Sequence, residues 1–166
     1  VDVTNYVMLE LGQPLHAFDA DHIDSFLEIR RAGSVQKFTT LDGQERTLDP
    51  DDLVVSDSKK VLALAGTMGG LESEITDSTK RIALEAVRFD QIAVAKNSRR
   101  HKLSTEASRR LERGVDPVLA GVVVCAVPCS GVCVASGVAS ITVPARSSIS
   151  CVKNSEPPVA IKIAPT

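Results

Sequence analysis

The chain has 166 residues, of which 43% are hydrophobic and 24% are charged, and its formal net charge is −2. This composition is typical of a soluble globular protein of one or two domains, and the few aromatic residues leave the core to aliphatic side chains. Neither a signal peptide nor an uninterrupted apolar span is present, which argues against secretion or a membrane partner and predicts a cytoplasmic protein.

The first distinctive motif is LGQPLHAFD, residues 11–19. Residues 5–10 before it are predicted to be the end of a helix or a short amphipathic segment. Pro14 fixes its own φ and biases Gln13 away from the helical region, while Gly12 allows a tight turn. His16 is therefore expected on a turn or at the start of the next element. A histidine in such a frame can serve a site, and a satisfied structural histidine is the alternative.

Short β-prone runs follow the motif. Residues 26–31 are predicted to form a strand, and Asp42-Gly43 within residues 39–44 indicates a hairpin. Residues 53–56 and 61–65 are predicted to be buried strands on either side of a polar turn. A loop containing Gly66, Gly69 and Gly70 comes next, where backbone N–H groups can approach a ligand without obstruction by side chains.

Glu85 is the one charged residue in a predicted strand over residues 82–86. Burial of a carboxylate costs free energy unless the group finds hydrogen-bond donors or takes up a proton. A polar group held in an apolar pocket can in turn recognise a hydroxyl on a substrate. The alternative is a glutamate at the end of the strand that faces solvent.

Two helices are predicted over residues 89–100 and 105–113, with Thr105 as N-cap and Gly114 as the C-terminal stop. Residues 96–113 contain seven Lys or Arg and two acidic residues, a local charge of +5, so the remainder of the chain carries −7. Such a cluster gives salt-sensitive, sequence-independent affinity for a polyanion, and a solvated helix face with internal ion pairs is the alternative. The candidate RNA contacts are Lys96, Arg99, Arg100, Lys102, Arg109 and Arg110.

Residues 117–166 contain four charged residues, whereas the first 116 contain 36. Pro128 interrupts any helix there and the valines favour strands, which are predicted over residues 138–143 and 159–163. We place a soft boundary near residue 145, so that residues 1–145 form the main domain and residues 146–166 a tail.

Two groups of residues have the composition of a metal site. Three cysteines recur every four residues from Cys125, but no CxxC pair or nearby histidine accompanies them, so reduced structural thiols are predicted. His16, Asp19 and His22 also lie close in sequence, although Asp19 is better explained as a turn or cap residue. We therefore predict no metal, and a metal-dependent hydrolase using these three residues is the less favoured alternative.

Four segments, taken in order, resemble the B3/B4 region of the bacterial phenylalanyl-tRNA synthetase β subunit. They are residues 1–19, LALAGTMGG at 62–70, IALEAVRF at 82–89 and RRHKLSTEASRRLERGVDP at 99–117, with the TLDG turn at 40–43 between the first two. The resemblance implies a mixed α/β fold with layered β-sheets flanked by helices. It also implies a fragment of a longer polypeptide, as does the start at Val1 without Met. Residues 159–163 resemble the opening of the domain that follows in the family.

The resemblance further implies post-transfer editing, in which mischarged Tyr-tRNA(Phe) is hydrolysed. Glu85 matches the glutamate that contacts the tyrosine hydroxyl and His16 matches the editing-site histidine, and these two are the expected catalytic residues. Glu85 is also one of the expected substrate-binding residues, and the others are Thr4, Pro14, Gly69, Thr105 and Ala107.

The expected partners are tRNA(Phe) and the synthetase α subunit, in a heterotetramer. The editing step is expected to need no cofactor, while ATP and Mg would serve aminoacylation by the whole enzyme. The alternative function is a non-catalytic module for tRNA binding or subunit assembly.

Overall fold

The computed structural model describes residues 2–120 and 123, together with the backbone of three strands beyond them. The described α-helices are α1 (Asp2–Leu11), α2 (Gln91–Arg100) and α3 (Glu106–Arg113). The strands are β1 (His16–Asp19), β2 (Phe26–Arg31), β3 (Gln36–Thr39), β4 (Glu45–Leu48), β5 (Leu53–Ser56), β6 (Val61–Leu64), β7 (Met68–Gly69), β8 (Ile82–Arg88), β9 (Val132–Val138), β10 (Ile149–Ser150) and β11 (Ala160–Ile163). Short 3-10 helices cover Ala20–His22 and Leu71–Ser73.

The described strands form three sheets, with orders β1-β8-β9, β10-β11-β2-β5-β6-β7 and β3-β4. In the first sheet β1 runs antiparallel to β8, and β9 runs parallel to β8 on its other side. This mixture of sheets and helices confirms the predicted α/β class.

The main core joins the two larger sheets to α2 and α3. Its members include Phe18 from β1, Val55 from β5, Val87 from β8 and Leu111 from α3. A second cluster, which includes Phe38, Leu48 and Val54, packs the β3–β4 hairpin against the opposite face of the central strands. Strands β5 and β6 are therefore buried on both faces, which explains why their sequences are apolar runs without alternation.

Most of the turns and helix ends that were predicted from local sequence agree with the structure. The hairpin is confirmed, with Gly43 at φ +74°, as are the Thr105 N-cap and the stop at Gly114 with φ +100°. Helix α1 begins three residues earlier than the predicted segment. Helix α2 begins at Gln91 rather than at residue 89, because Phe89 is in the core and the Asp90 carboxylate caps the helix by accepting from Ala93 N at 2.8 Å.

Two predictions for strands need correction. Strand β8 runs to Arg88, two residues beyond the predicted end, and Met68–Gly69 pairs with β6 as strand β7 although the sequence predicted a loop there. The predicted C-terminal strand is confirmed over Ala160–Ile163, which pairs parallel to β2. The cysteine side chains, most of the strand predicted over residues 138–143 and the predicted boundary near residue 145 lie outside the described residues. Within the described part, no helix is long and apolar enough to cross a membrane.

Candidate functional site

A cleft of about 70 Å³ lies between β1, β8, the Gly66–Gly69 turn and α3. Its wall is mostly apolar, and the polar side chains in the wall belong to His16, Thr67 and Glu85. Clefts with an apolar wall and a few polar groups are typical of small-molecule sites.

Antiparallel pairing of β1 and β8 brings His16 and Glu85 together. They are opposite each other in the register, and the ladder continues beyond β1 with a hydrogen bond from Ala20 N to Arg81 O of 2.9 Å. Because hydrogen-bonded pairs alternate along such a ladder, His16–Glu85 is a pair of the same kind, with Cα atoms about 5.5 Å apart. Directly opposed residues also point to the same face of the sheet, so both side chains reach the cleft.

The imidazole of His16 is held by packing. It meets the Phe18 ring edge-to-face, with centroids 4.5 Å apart, and lies against the backbone of Gly69. A Cβ at Gly69 would come within 2.5 Å of His16 Nε2, so glycine at this position makes room for the ring. Burial lowers the pKa of His16 to about 4, and the imidazole is therefore neutral at physiological pH.

Glu85 is buried in the middle of β8, with 8% of its surface exposed, so the alternative of a solvent-facing glutamate is wrong. No side chain or backbone group of the described residues makes a hydrogen bond or ion pair with its carboxyl. Burial raises the pKa of Glu85 to about 8. At neutral pH the group is thus mostly a carboxylic acid, which can both donate and accept a hydrogen bond.

The turn from Gly66 to Gly69 forms the wall opposite the two strands. Gly66 has φ +65°, and a Cβ there would meet side chains of α2 and α3 at 2.9 to 3.1 Å, so the turn packs tightly on the helices. Thr105 Oγ1 donates to the backbone oxygen of Thr67 at 3.1 Å and so ties the turn to the start of α3.

Of the predicted substrate-binding and catalytic residues, the structure brings Pro14, His16, Gly69, Glu85 and Ala107 to the cleft. Thr4 on α1 and Thr105 do not line it, and the contact that Thr105 makes with the turn is a supporting one.

Sequence reasoning missed Thr67 and Met68, which also line the cleft. Their position in the AGTMGG run, within the predicted glycine loop, is the sequence signal that could have identified them.

The predicted RNA contacts divide into two groups. Arg100 forms an ion pair with the fully buried Asp52, and Arg110 donates to Glu106 Oε1 at 3.0 Å. Arg109 Nε donates to Ser104 Oγ at 3.1 Å but remains exposed. The other three are exposed and have no ion pair or side-chain hydrogen bond within the described part of the chain; these are Lys96, Arg99 and Lys102.

The three residues suggested for a metal-dependent hydrolase do not converge on one point: His22 Nδ1 lies 3.5 Å from Asp19 Oδ2, but His16 is separate from this pair. Side chains alternate along β1, so His16 and Asp19 point to opposite faces. The Asp19 carboxylate accepts from Thr79 Oγ1 at 2.7 Å and from Asp21 N at 2.9 Å, which is the turn role predicted from the sequence. Among the residues that the structure describes, no group of three or more His, Cys, Asp or Glu could hold a metal ion.

Comparison with known proteins gives a consistent set of matches. The model of the B3/4 domain family matches residues 1–126. The chain is similar to the phenylalanine–tRNA ligase beta subunit of Streptomyces avermitilis, with 55% identity over 123 residues, 72% of this chain and 15% of that protein. It is similar to the beta subunit of Corynebacterium jeikeium, with 57% identity over 118 residues, 71% of this chain and 14% of that protein. The chain thus spans about one seventh of the length of these relatives.

Proposed function

This chain belongs to the B3/4 domain family. From that membership and from the chemistry of the cleft, we propose that it hydrolyses tyrosine esterified to tRNA(Phe), as the editing part of a phenylalanine–tRNA ligase beta subunit. The observation that carries the proposal is the pairing of His16 with a buried Glu85, whose carboxyl has no partner among the described residues, in an apolar cleft.

Selectivity follows from the state of Glu85. Its carboxyl finds no hydrogen-bond partner among the described residues, and a phenolic hydroxyl supplies one. Phenylalanine can occupy the same apolar cleft, but it offers no hydroxyl to the Glu85 carboxyl. A site built to bond a hydroxyl can reject the analogue that lacks it by as much as about 10⁴-fold.

The proposed reaction is hydrolysis of the aminoacyl ester. Water attacks the carbonyl carbon, and the bond between that carbon and the ribose oxygen breaks. The water oxygen stays on the carboxyl group of the released tyrosine, and a proton goes to the ribose oxygen to give the free hydroxyl. The neutral imidazole of His16 has a ring nitrogen able to accept a hydrogen bond from the attacking water or from the ribose. Hydrolysis consumes only the ester and water, while ATP and Mg would serve aminoacylation by the whole enzyme.

The exposed cations on and just after α2 support the proposed macromolecular partner. Lys96, Arg99 and Lys102 lie on and just after α2, and Ala107 of the following helix α3 lines the cleft. We propose that these cations contact phosphates of the tRNA acceptor end. The proposal extends to assembly with the α subunit in a heterotetramer and to a cytoplasmic location.

The test measures deacylation of Tyr-tRNA(Phe) and Phe-tRNA(Phe) by the complete synthetase that carries this chain in its full-length subunit. We expect the unmodified enzyme to prefer the tyrosyl ester, and Glu85→Ala to reduce that preference by about 100-fold or more, because the hydroxyl loses its partner. Glu74→Ala, at an exposed position, is the matched control and should change nothing.

Two outcomes would overturn the proposal. One is hydrolysis that does not distinguish the two esters. The other is binding of tRNA without any hydrolysis, which would favour the non-catalytic module.

A further inference from the structure

The ladder between β1 and β8 stops at His16, and its register gives the reason. Continued by two residues, the register sets Pro14 opposite Val87, in a pair of the same hydrogen-bonded kind as His16–Glu85 and Ala20–Arg81. Proline has no backbone N–H, so the bond that residue 14 would donate to Val87 O cannot form. Both Pro14 and Val87 line the cleft, so the gap lies in the wall of the site.

The side chain of Gln13 fills this gap. It is fully buried, and its Nε2 donates to Val87 O at 3.4 Å and to Pro14 O at 3.0 Å. Both neighbours are carbonyl oxygens, so the amide nitrogen must face them and the amide orientation is fixed by chemistry. The bond to Val87 O replaces the ladder bond that Pro14 cannot make.

This arrangement has a cost. Gln13 Oε1 is buried and has no hydrogen-bond partner among the described residues. A buried acceptor without a partner costs about 1 to 3 kcal/mol, which a methionine of similar size would avoid. Packing alone therefore does not account for an amide here, whereas its donor does.

We propose that Gln13 is a positioning residue that substitutes for the missing N–H of Pro14 and fixes His16 in register with Glu85 across the cleft. It touches neither ester nor water, and its effect on hydrolysis rests on the function proposed above. Proline can then stand in the wall of the cleft without loss of the pairing that holds the two polar side chains face to face.

The test uses Gln13→Met, Pro14→Ala and the double variant in the complete synthetase. Gln13→Met should lower kcat for Tyr-tRNA(Phe) by about 10-fold with little change in KM, because misplacement of a reacting group slows the chemical step. In the double variant the alanine N–H can donate to Val87 O, so kcat should return to within about 3-fold of Pro14→Ala alone. Gln36→Met, at a half-buried position in β3, is the matched control.

A readout without substrate separates the two proposals. Amide hydrogen exchange of residues 15–18 and 84–88 should be faster in Gln13→Met than in the unmodified protein, and slower again in the double variant. If the unmodified enzyme does not hydrolyse Tyr-tRNA(Phe), the proposed function fails and the exchange pattern still decides the role of Gln13. Unchanged exchange in Gln13→Met, or additive loss in the double variant, would overturn the positioning role.

Discussion

Two regions of the molecule bury a carboxyl group beside a histidine, and they differ in how that group is satisfied. Asp52 lies 2.7 Å from His101 Nε2, accepts from Asp49 N at 2.8 Å and forms an ion pair with Arg100. Glu85 lies beside His16, and no group of the described residues bonds its carboxyl. Burial of a carboxyl group is therefore not by itself a sign of function in this chain. What distinguishes the cleft is that its carboxyl has no partner among the described residues.

The Asp52 cluster also holds separate parts of the fold together. Arg46 Nη1 on β4 donates to His101 O at 2.9 Å, and the same guanidinium forms an ion pair with Asp42 at 2.6 Å. The hairpin, the loop before β5 and the end of α2 are thereby joined. This network explains why Arg100, predicted as an RNA contact, has a structural partner.

The largest expected effect is on stability, at Asp52. Asp52→Ala leaves His101 buried without its partner and removes the ion pair of Arg100, so we expect the free energy of unfolding to fall by roughly 3 to 5 kcal/mol. Urea unfolding followed by circular dichroism measures it. Asp51→Ala, at an exposed neighbouring carboxylate, should change the free energy by less than about 0.5 kcal/mol. If Asp52→Ala lowered the free energy of unfolding by less than about 1 kcal/mol, the bonds to Asp52 would not stabilise the fold, and the contrast between this satisfied carboxyl and Glu85 would be lost.

Glu85 should make the stability of the fold depend on pH. In the unfolded chain the glutamate loses its proton near pH 4.5, whereas in the folded protein burial holds its pKa at about 8, so stability falls as pH rises through this window. Relative to Glu85→Gln, the unmodified protein should lose about 3 kcal/mol between pH 4.5 and 7. His16 is common to both proteins and destabilises the fold only below pH 6.5. Urea unfolding at several pH values measures the difference. If the free energies of unfolding of the two proteins changed with pH in the same way, the raised pKa of Glu85 would be contradicted.

His16 should affect hydrolysis more than folding. His16→Ala removes ring contacts with Phe18 and Gly69 but orphans no hydrogen-bond partner among the described residues, so we expect a loss of about 1 kcal/mol in stability. Deacylation of Tyr-tRNA(Phe) should slow by about 10- to 100-fold. His22→Ala, at an exposed histidine, is the control. A stability loss above about 3 kcal/mol with normal activity per folded molecule would instead identify a structural histidine.

The smallest expected effect concerns the basic residues. Arg99→Ala should weaken tRNA binding about threefold and lower the slope of log affinity against log salt concentration by about one, without loss of stability. Arg100→Ala should destabilise the fold because it removes the ion pair of Asp52. Binding measured at several salt concentrations, together with thermal unfolding, separates the two arginines. An unchanged salt slope for Arg99→Ala would indicate a merely solvated face.

The family resemblance found in the sequence is confirmed, and much of the secondary structure follows from local chemistry. The Asp42-Gly43 turn, the Thr105 cap and the Gly114 stop depend on residues within a few positions of each other, so the sequence determined them. The sequence also singled out His16 and Glu85, through a rigid motif and a charge in an apolar strand.

Only the tertiary structure decided how those residues are partnered. The opposition of His16 and Glu85 depends on the register between two strands far apart in the chain, and the bond from Gln13 to Val87 O depends on the same register. The division of the basic cluster depends on Asp52, which no local pattern associates with Arg100. Strand boundaries were missed where long-range pairing extended β8 and created β7. The physical reason is common to all of these: a side chain's burial and hydrogen-bond partners are set by non-local packing, which can override the preferences of neighbouring residues.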